Sequence, residues 1–120
     1  MTTDLQINDR EVDSQTHLLE VAGQIDLYTA PEFKAWIQRV IERGKRRIVV
    51  DLSAVDYMDS TGLGVLVGAL KRVRPFDGSI TIVSSDENIH KLFELSGLDR
   101  SFPLCRRLED ALEALEFARD

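Results

Sequence analysis

The chain has 120 residues, 43% of them hydrophobic and 30% charged, and its formal net charge is −6 at pH 7. The length fits one domain over residues 1–120, and the acidic balance gives no electrostatic footprint for nucleic acid. One cysteine allows neither an internal disulfide nor a thiolate metal site, and no apolar run is long enough to span a membrane. The polar N-terminus lacks a secretory signal, so a cytoplasmic protein is expected.

The first third of the chain predicts a hairpin followed by a helix. Apolar patterning places strands at about 5–12 and 16–24. The helix that follows has Thr29 as its N-cap and Pro31 in its first turn, and Glu32 would complete a capping box with Thr29. Gly44 comes just after the helical spacing ends, as expected for a helix C-terminus.

A buried strand and a second helix form the centre of the chain. The segment RRIVVDL is β-branched and almost continuously apolar, which is typical of a strand buried on both faces. After Asp59 the helical spacing resumes until Pro75 ends it. One face of this helix carries the apolar residues Leu63, Leu66, Val67, Leu70 and Val73.

The last third continues the alternation of strands and helices. SITIVS predicts a strand, and DENIHKLFELSGL predicts a short helix capped by Asp86, with Leu92, Phe93 and Leu95 pointing inward. RSFPLC is compatible with a short edge strand because such strands tolerate Pro103. The final helix buries Leu108, Ala111, Leu112 and Leu115. The order predicts an α/β fold: a mixed sheet of about five strands, opened by a hairpin and covered by about four helices.

Ser60 stands where the buried strand meets the second helix, and a nucleophilic role is the first to test. A hydrolase elbow needs Gly-x-Ser-x-Gly, but Met58 occupies the first glycine position. His17 and His90, the available bases, are interpreted as ordinary surface or boundary residues. No His, Asp and Glu cluster has metal-ligand spacing, so neither an enzyme nor a metal site is expected.

A phosphate-binding role for the glycines is the second hypothesis. Gly62, Gly64 and Gly68 spell Gly-x-Gly-x-x-x-Gly, one residue longer than the dinucleotide fingerprint. A helix start attracts anions, so a small nucleotide-binding protein that uses Gly62 and Gly64 stays open as the alternative. The favoured interpretation is structural: small residues let the helix lie close to the sheet.

The third hypothesis is a serine that receives a phosphate, with Ser60 at or beside the N-cap and Asp59 as the competing cap. The run VVDLSAVDYMDSTGLGVLVGALKRV resembles the anti-sigma factor antagonists, the single-domain bacterial members of the STAS family. There a buried strand ends in Asp-Leu-Ser, and an Asp-Ser-Ser/Thr-Gly-Leu-Gly turn opens a helix. GQIDLYTAPEF is similar to the family's Gly-Glu-Ile-Asp-x-x-Thr-Ala/Ser segment, although Gln24 replaces the usual acid.

The resemblance implies partner switching on a STAS-type fold. The unphosphorylated antagonist would bind an anti-sigma factor that is also a GHKL-type serine kinase, and the sigma factor would be released. The kinase would phosphorylate Ser60 and end the complex, and a PP2C-type phosphatase would restore it. Thr61 ranks second as acceptor, and an adaptor in a stress-signalling complex is a third reading. Partner contacts are expected at Asp26, Asp59, Thr61 and Gly62, and on the outward helix face at Val65, Ala69 and Arg72.

Overall fold

A five-stranded sheet flanked by four helices makes up the part of the chain described by the computed structural model, residues 5–118. The strands are β1 (Gln6–Glu11), β2 (Thr16–Ile25), β3 (Arg47–Met58), β4 (Ser79–Val83) and β5 (Leu104–Cys105). The helices are α1 (Ala30–Glu42), α2 (Ser60–Val73), α3 (Glu87–Leu95) and α4 (Leu108–Ala118). The α/β architecture expected from the sequence is therefore confirmed.

The strands lie side by side in chain order, from β1 to β5. β1 and β2 form an antiparallel hairpin, and every later neighbour is parallel. Each parallel connection passes through a helix, and right-handed crossovers in one direction place α1, α2 and α3 on the same face. α4 covers part of the other face and buries Ala111 there against Leu18, Val49 and Val83.

β3 is the central strand, and its apolar run is buried on both sides as its sequence predicts. Ile48 and Val50 face the large core under α1 to α3, whereas Val49 faces the smaller core under α4. β5 is an edge strand but has only two residues, since Pro103 directly precedes it and lacks an N–H for pairing. The sheet thus ends on a very short edge, which offers little backbone for further pairing.

Three burial assignments from the sequence are wrong, one of an inward-facing residue and two of surface or boundary residues. Leu95, expected to point into the core, is exposed at the end of α3. It follows Phe93 by two residues, which is about 200° around a helix, so the two side chains cannot share a face. Conversely, His17 and His90, interpreted as surface or boundary residues, are both buried.

The first turn of α2 rests directly on the ends of β2 and β3. Ile25 and Met58 are the last paired residues of these parallel strands, and the Asp59 N–H donates to the Ile25 carbonyl at 3.4 Å. A Cβ on Gly62 would lie only 2.7 Å from Met58 Cγ and 2.9 Å from Ile25 Cγ2. Gly62 therefore has no side chain because the helix passes too close to the sheet for one.

We expect Gly62→Ala to lower the free energy of unfolding by about 1–2 kcal/mol, because overpacking outweighs the gain in helix propensity. Gly68→Ala is the matched control in the same helix, since a Cβ there meets nothing within 4 Å. It should raise the free energy of unfolding by about 0.5–1 kcal/mol. Urea denaturation measures both, and equal effects of the two changes would contradict the close-packing explanation.

Candidate functional site

The N-terminus of α2 is capped by Asp59, which leaves the neighbouring serine outside the capping network. Asp59 has an extended backbone, and its Oδ1 accepts a hydrogen bond from the Thr61 N–H at 2.9 Å. Ser60 is the first helical residue and is exposed. Among residues 5–118, no side chain or backbone group makes a hydrogen bond with the Ser60 hydroxyl. Asp59, and not Ser60, is therefore the capping residue of α2, and Ser60 Oγ projects into solvent.

The turn between β2 and α1 is closed by reciprocal bonds between Asp26 and Thr29. Asp26 Oδ1 accepts from the Tyr28 N–H at 2.9 Å and from the Thr29 N–H at 3.1 Å. Thr29 Oγ1 accepts from the Asp26 N–H at 2.9 Å and donates to the Gln24 carbonyl at 2.7 Å. These bonds make the turn rigid and account for the spacing of the Asp and Thr in GQIDLYTAPEF.

The same bonds overturn the predicted capping box of Thr29 and Glu32. Thr29 is the N-cap residue of α1, but its backbone is helical rather than extended and its side chain makes no capping bond. Its hydroxyl is directed back toward β2 and is already used there. Asp26 supplies the start of the helix instead, because its carbonyl accepts from the Ala30 N–H at 2.8 Å.

The turns after β2 and β3 bring Asp26, Asp59 and Ser60 to one edge of the sheet. Their host strands pair at Ile25 and Met58, so each residue lies within two positions of that pair. The edge carries carboxylates beside the positive end of the α2 dipole. A serine in this setting can accept a phosphate that the helix end stabilises and the flanking carboxylates oppose.

A groove of about 450 Å³ runs along the outer side of α2, where α1 packs beside it. From α2 it is lined by Thr61, Gly64, Val65, Gly68, Ala69 and Arg72. From α1 it is lined by Lys34, Ile37 and Gln38. A Cβ on Gly64 or Gly68 would meet nothing within 4 Å, so these two glycines keep the groove open rather than serving the core.

Two of the residues expected to contact a partner are buried in the structure. Gly62 faces the core instead of solvent, for the packing reason given above. Ala69, expected on the outward helix face, is buried because α1 covers that flank and leaves only the groove floor accessible. Val65 is half-buried and Arg72 is exposed, and both line the groove. Thr61 lies at the end of the groove nearest Ser60.

Sequence reasoning missed three exposed apolar side chains at this edge: Leu27, Tyr28 and Tyr57. Leu27 and Tyr28 fall between the two hydrogen-bonding residues of the Asp26–Thr29 turn. Their position in the turn could have indicated their exposure, because a closed turn directs its middle residues outward. Lys34 and Gln38, on the α1 side of the groove, gave no comparable signal since they look like any solvated helix position.

Neither histidine is placed for catalysis with Ser60. His17 Nε2 lies 2.7 Å from Asp9 Oδ1, and His90 Nε2 lies 2.5 Å from the Ser84 carbonyl oxygen. Among residues 5–118, no three His, Cys, Asp or Glu side chains form a group that could hold a metal ion. In the same described part, no helix has both the length and the apolar character needed to cross a membrane.

Comparisons with known proteins agree with this geometry. Residues 7–111 match the family model described as STAS domain. An anti-sigma-B factor antagonist of Listeria monocytogenes is 40% identical over 101 residues, which cover 82% of this chain and 84% of the relative. One from Staphylococcus aureus strain NCTC 8325 is 41% identical over 80 residues, covering 67% of this chain and 74% of the relative.

Solved structures share the fold over nearly the whole chain. An anti-sigma factor antagonist from Mycobacterium paratuberculosis has a TM-score of 0.87 at 28% identity and covers 97% of both chains. The antagonist SpoIIAA in its unphosphorylated form has a TM-score of 0.80 at 20% identity, covering 92% of this chain and 96% of its own, which is a likeness of fold. The chain therefore belongs to the STAS domain family, in its group of anti-sigma factor antagonists.

Proposed function

We propose that this protein is a cytoplasmic binding protein, not an enzyme, that antagonises an anti-sigma factor and is switched by phosphorylation of Ser60. In this scheme the unphosphorylated chain binds an anti-sigma factor with a GHKL-type kinase site, and the sigma factor is released. Phosphorylation by that kinase separates the complex, and a PP2C-type phosphatase reverses it. The observation that carries the proposal is the exposed Ser60 hydroxyl, which no capping bond occupies.

The position of Ser60 makes a phosphate compatible with the folded chain. Asp59 already caps α2, so modifying Ser60 removes no hydrogen bond from the fold. A phosphoserine adds about −1.5 to −2 charges at pH 7, and a helix N-terminus favours such charge by about 0.3–1 kcal/mol. The modified domain should therefore keep its structure and stability.

A partner, however, would meet the phosphate beside two carboxylates. Binding over Ser60 would require the partner to desolvate this charge next to Asp26 and Asp59. A loss of about 3 kcal/mol weakens a complex more than a hundredfold. A local electrostatic change is thus sufficient for switching, and no rearrangement of the domain is needed.

Ser60 is a better acceptor than Thr61 for a geometric reason. Thr61 is half-buried at the end of the groove nearest Ser60, and its N–H donates a hydrogen bond to the Asp59 carboxylate. A kinase must bring its ATP within bonding distance of the hydroxyl, which favours the exposed first residue of the helix.

The groove beside α2 extends the proposed contact surface away from Ser60. Its floor is Val65 and Ala69, and Lys34 and Arg72 supply positive charge to its lining. Gly64 and Gly68 allow close approach of another backbone, since no side chain stands above them. We assign Val65, Ala69 and Arg72 to the partner interface through this groove.

The nucleotide-binding alternative has less support from the same residues. Asp59 Oδ1 occupies the Thr61 N–H, one of the donors that a bound phosphate would need, and its charge repels an anion. Gly62 is accounted for by its contact with Met58 and Ile25. A calorimetric titration of the isolated protein with millimolar ATP or GTP should give no binding heat.

The first test of the proposal combines phosphorylation and binding. With Mg-ATP and the purified anti-sigma factor kinases of the source organism, intact mass and peptide mapping should show one phosphate on Ser60. Ser60→Ala should accept none and bind the kinase at least as tightly as wild type. Ser60→Asp should bind at least a hundredfold more weakly while unfolding at a similar temperature. Thr61→Ala, the matched control, should still be phosphorylated, and full binding by Ser60→Asp would sink the proposal.

A second test addresses the groove. Gly68→Ala places a methyl group in the groove and should stabilise the free domain, as argued above. If the partner packs into the groove, the same change should weaken binding about tenfold, so stability and affinity would move in opposite directions. Isothermal titration with the kinase that modifies Ser60 measures the affinity. Unchanged affinity for both Gly68→Ala and Arg72→Ala would remove the groove from the interface.

A further inference from the structure

We infer that Leu27, Tyr28 and Tyr57 form the apolar anchor with which this protein holds the partner that reads Ser60. This inference rests on the proposed function and assigns the partner's main contact to residues that the family motif does not specify. The three residues are called the anchor patch below. Leu27 is 68% exposed, Tyr28 84% and Tyr57 49%.

The anchor patch places three large apolar side chains at the edge that carries Ser60. Leu27 and Tyr28 lie in the turn after β2, and Tyr57 pairs with Gln24 near the end of β3. Among residues 5–116, whose side chains the structure describes, the other large exposed hydrophobic residues are Val12, Phe76 and Leu95. These lie near the opposite edge, in the turn before β2, in the segment before β4 and at the far end of α3. Large exposed hydrophobic residues therefore occur at both edges, and only one edge carries Ser60, the proposed phosphorylation site.

The exposed rings of Phe76 and Tyr28, which lie near opposite edges, also differ in their surroundings. The Phe76 ring is covered by the Arg46 guanidinium, whose Cζ lies 4.1 Å from the ring centroid. Tyr28 makes no ring contact with any other described residue, although it is among the most exposed side chains of the domain. Phe76 thus has a partner within the fold, whereas Tyr28 leaves its apolar surface open to a second protein.

The turn holds Leu27 and Tyr28 outward in a fixed backbone geometry. Asp26 Oδ1 accepts from the Tyr28 N–H, and Thr29 closes the turn on both sides. A preorganised loop loses little entropy on binding, and tyrosine adds a large contact area with few rotatable bonds. Tyrosine is also enriched among the residues that dominate binding energy at interfaces. Rigid backbone and exposed aromatic together are the features of a binding anchor.

An interface of ordinary size is wide enough for one partner to cover both Ser60 and residues of the patch. A specific interface buries about 800 Å² on each protein, a surface about 30 Å across. Leu27 lies two residues beyond Ile25, whose carbonyl accepts from the Asp59 N–H next to Ser60. The backbone path from Leu27 to Ser60 is under about 20 Å from these steps. One contact surface of this width is therefore wide enough to cover both Ser60 and Leu27.

Charge around the patch indicates the chemistry of its occupant. Asp26 directly precedes Leu27, the exposed Asp56 directly precedes Tyr57, and Asp59 follows Tyr57 by two residues, so three carboxylates lie next to the patch along the chain. The occupant is an apolar pocket rimmed by Lys or Arg on the anti-sigma factor kinase, since such a rim complements three carboxylates. A phosphate on Ser60 would disturb this rim without touching the anchor itself.

The experiment measures association and dissociation rates with the purified kinase that phosphorylates Ser60, in a surface-binding assay. Tyr28→Ala and Leu27→Ala should each weaken binding at least 30-fold, mainly through faster dissociation, because truncating an anchor shortens the lifetime of the complex. Tyr57→Ala should have a smaller effect, since Tyr57 is less exposed than Leu27 or Tyr28. Asp56→Asn should act mainly on the association rate and its salt dependence.

Matched controls separate a binding anchor from a general loss of structure. Phe76→Ala and Leu95→Ala remove exposed apolar side chains near the opposite edge, 58% and 87% exposed, and should bind like wild type. Tyr28→Phe keeps the ring and should retain most of the affinity. Thermal unfolding followed by Trp36 fluorescence should be unchanged for Leu27→Ala and Tyr28→Ala.

The outcomes distinguish this inference from the proposed function. Absence of Ser60 phosphorylation and of binding by wild type would reject the proposed function. Wild-type binding that is lost in Ser60→Asp but kept in Tyr28→Ala and Leu27→Ala would reject the anchor alone. Equal weakening by Phe76→Ala would also reject it. Sedimentation that shows the free chain to be a dimer, made monomeric by Tyr28→Ala, would assign the patch to a second copy of this chain instead.

Discussion

The contact between the first turn of α2 and the paired residues Ile25 and Met58 determines where everything else at the site lies. Gly62 allows this contact because its missing Cβ would fall within 3 Å of both side chains. With the helix start fixed there, Asp59 caps it and Ser60 is left in solvent. Ile25 is the last residue of β2 and Met58 the last of β3, so the Asp26–Thr29 turn begins beside Asp59. One packing constraint thus sets two motifs side by side that are about thirty residues apart in the chain.

Asp26 and Asp59 each combine a structural role with an electrostatic one. Their carboxylates hold the two turns by accepting backbone hydrogen bonds, and their charges lie at the same edge of the sheet as the serine. Substitution by alanine would therefore confuse a collapsed turn with a lost charge. The separation of roles is clearer at Ser60, Leu27 and Tyr28, whose side chains are exposed. Substitutions at these three residues therefore report on binding more directly than substitutions at the aspartates.

The sequence predicted the elements well because their apolar spacing is set by one buried face each. It could not decide between Asp59 and Ser60 as the cap, since both are good capping residues and only the path of the chain selects one. Ala69 was misplaced because it faces a second helix, α1, and not the sheet that sets the main periodicity. Thr29 was misread for a related reason: its hydroxyl bonds backward to Gln24, across a turn whose shape local propensities do not encode. The apolar residues at the site were overlooked since exposed hydrophobic residues are common on any protein surface.

The proposed switch depends on a division of roles between the side chains that hold the fold and those that are exposed. The hydrogen bonds that hold the edge together are made by Asp26, Thr29 and Asp59, and a modification of Ser60 breaks none of them. The energetic consequences of a phosphate must then appear in the complex, where the charge has to be desolvated between two proteins. An apolar anchor strengthens this arrangement, because its contribution does not depend on the phosphate. Affinity and its control can in this way reside in adjacent side chains on one rigid edge of the sheet.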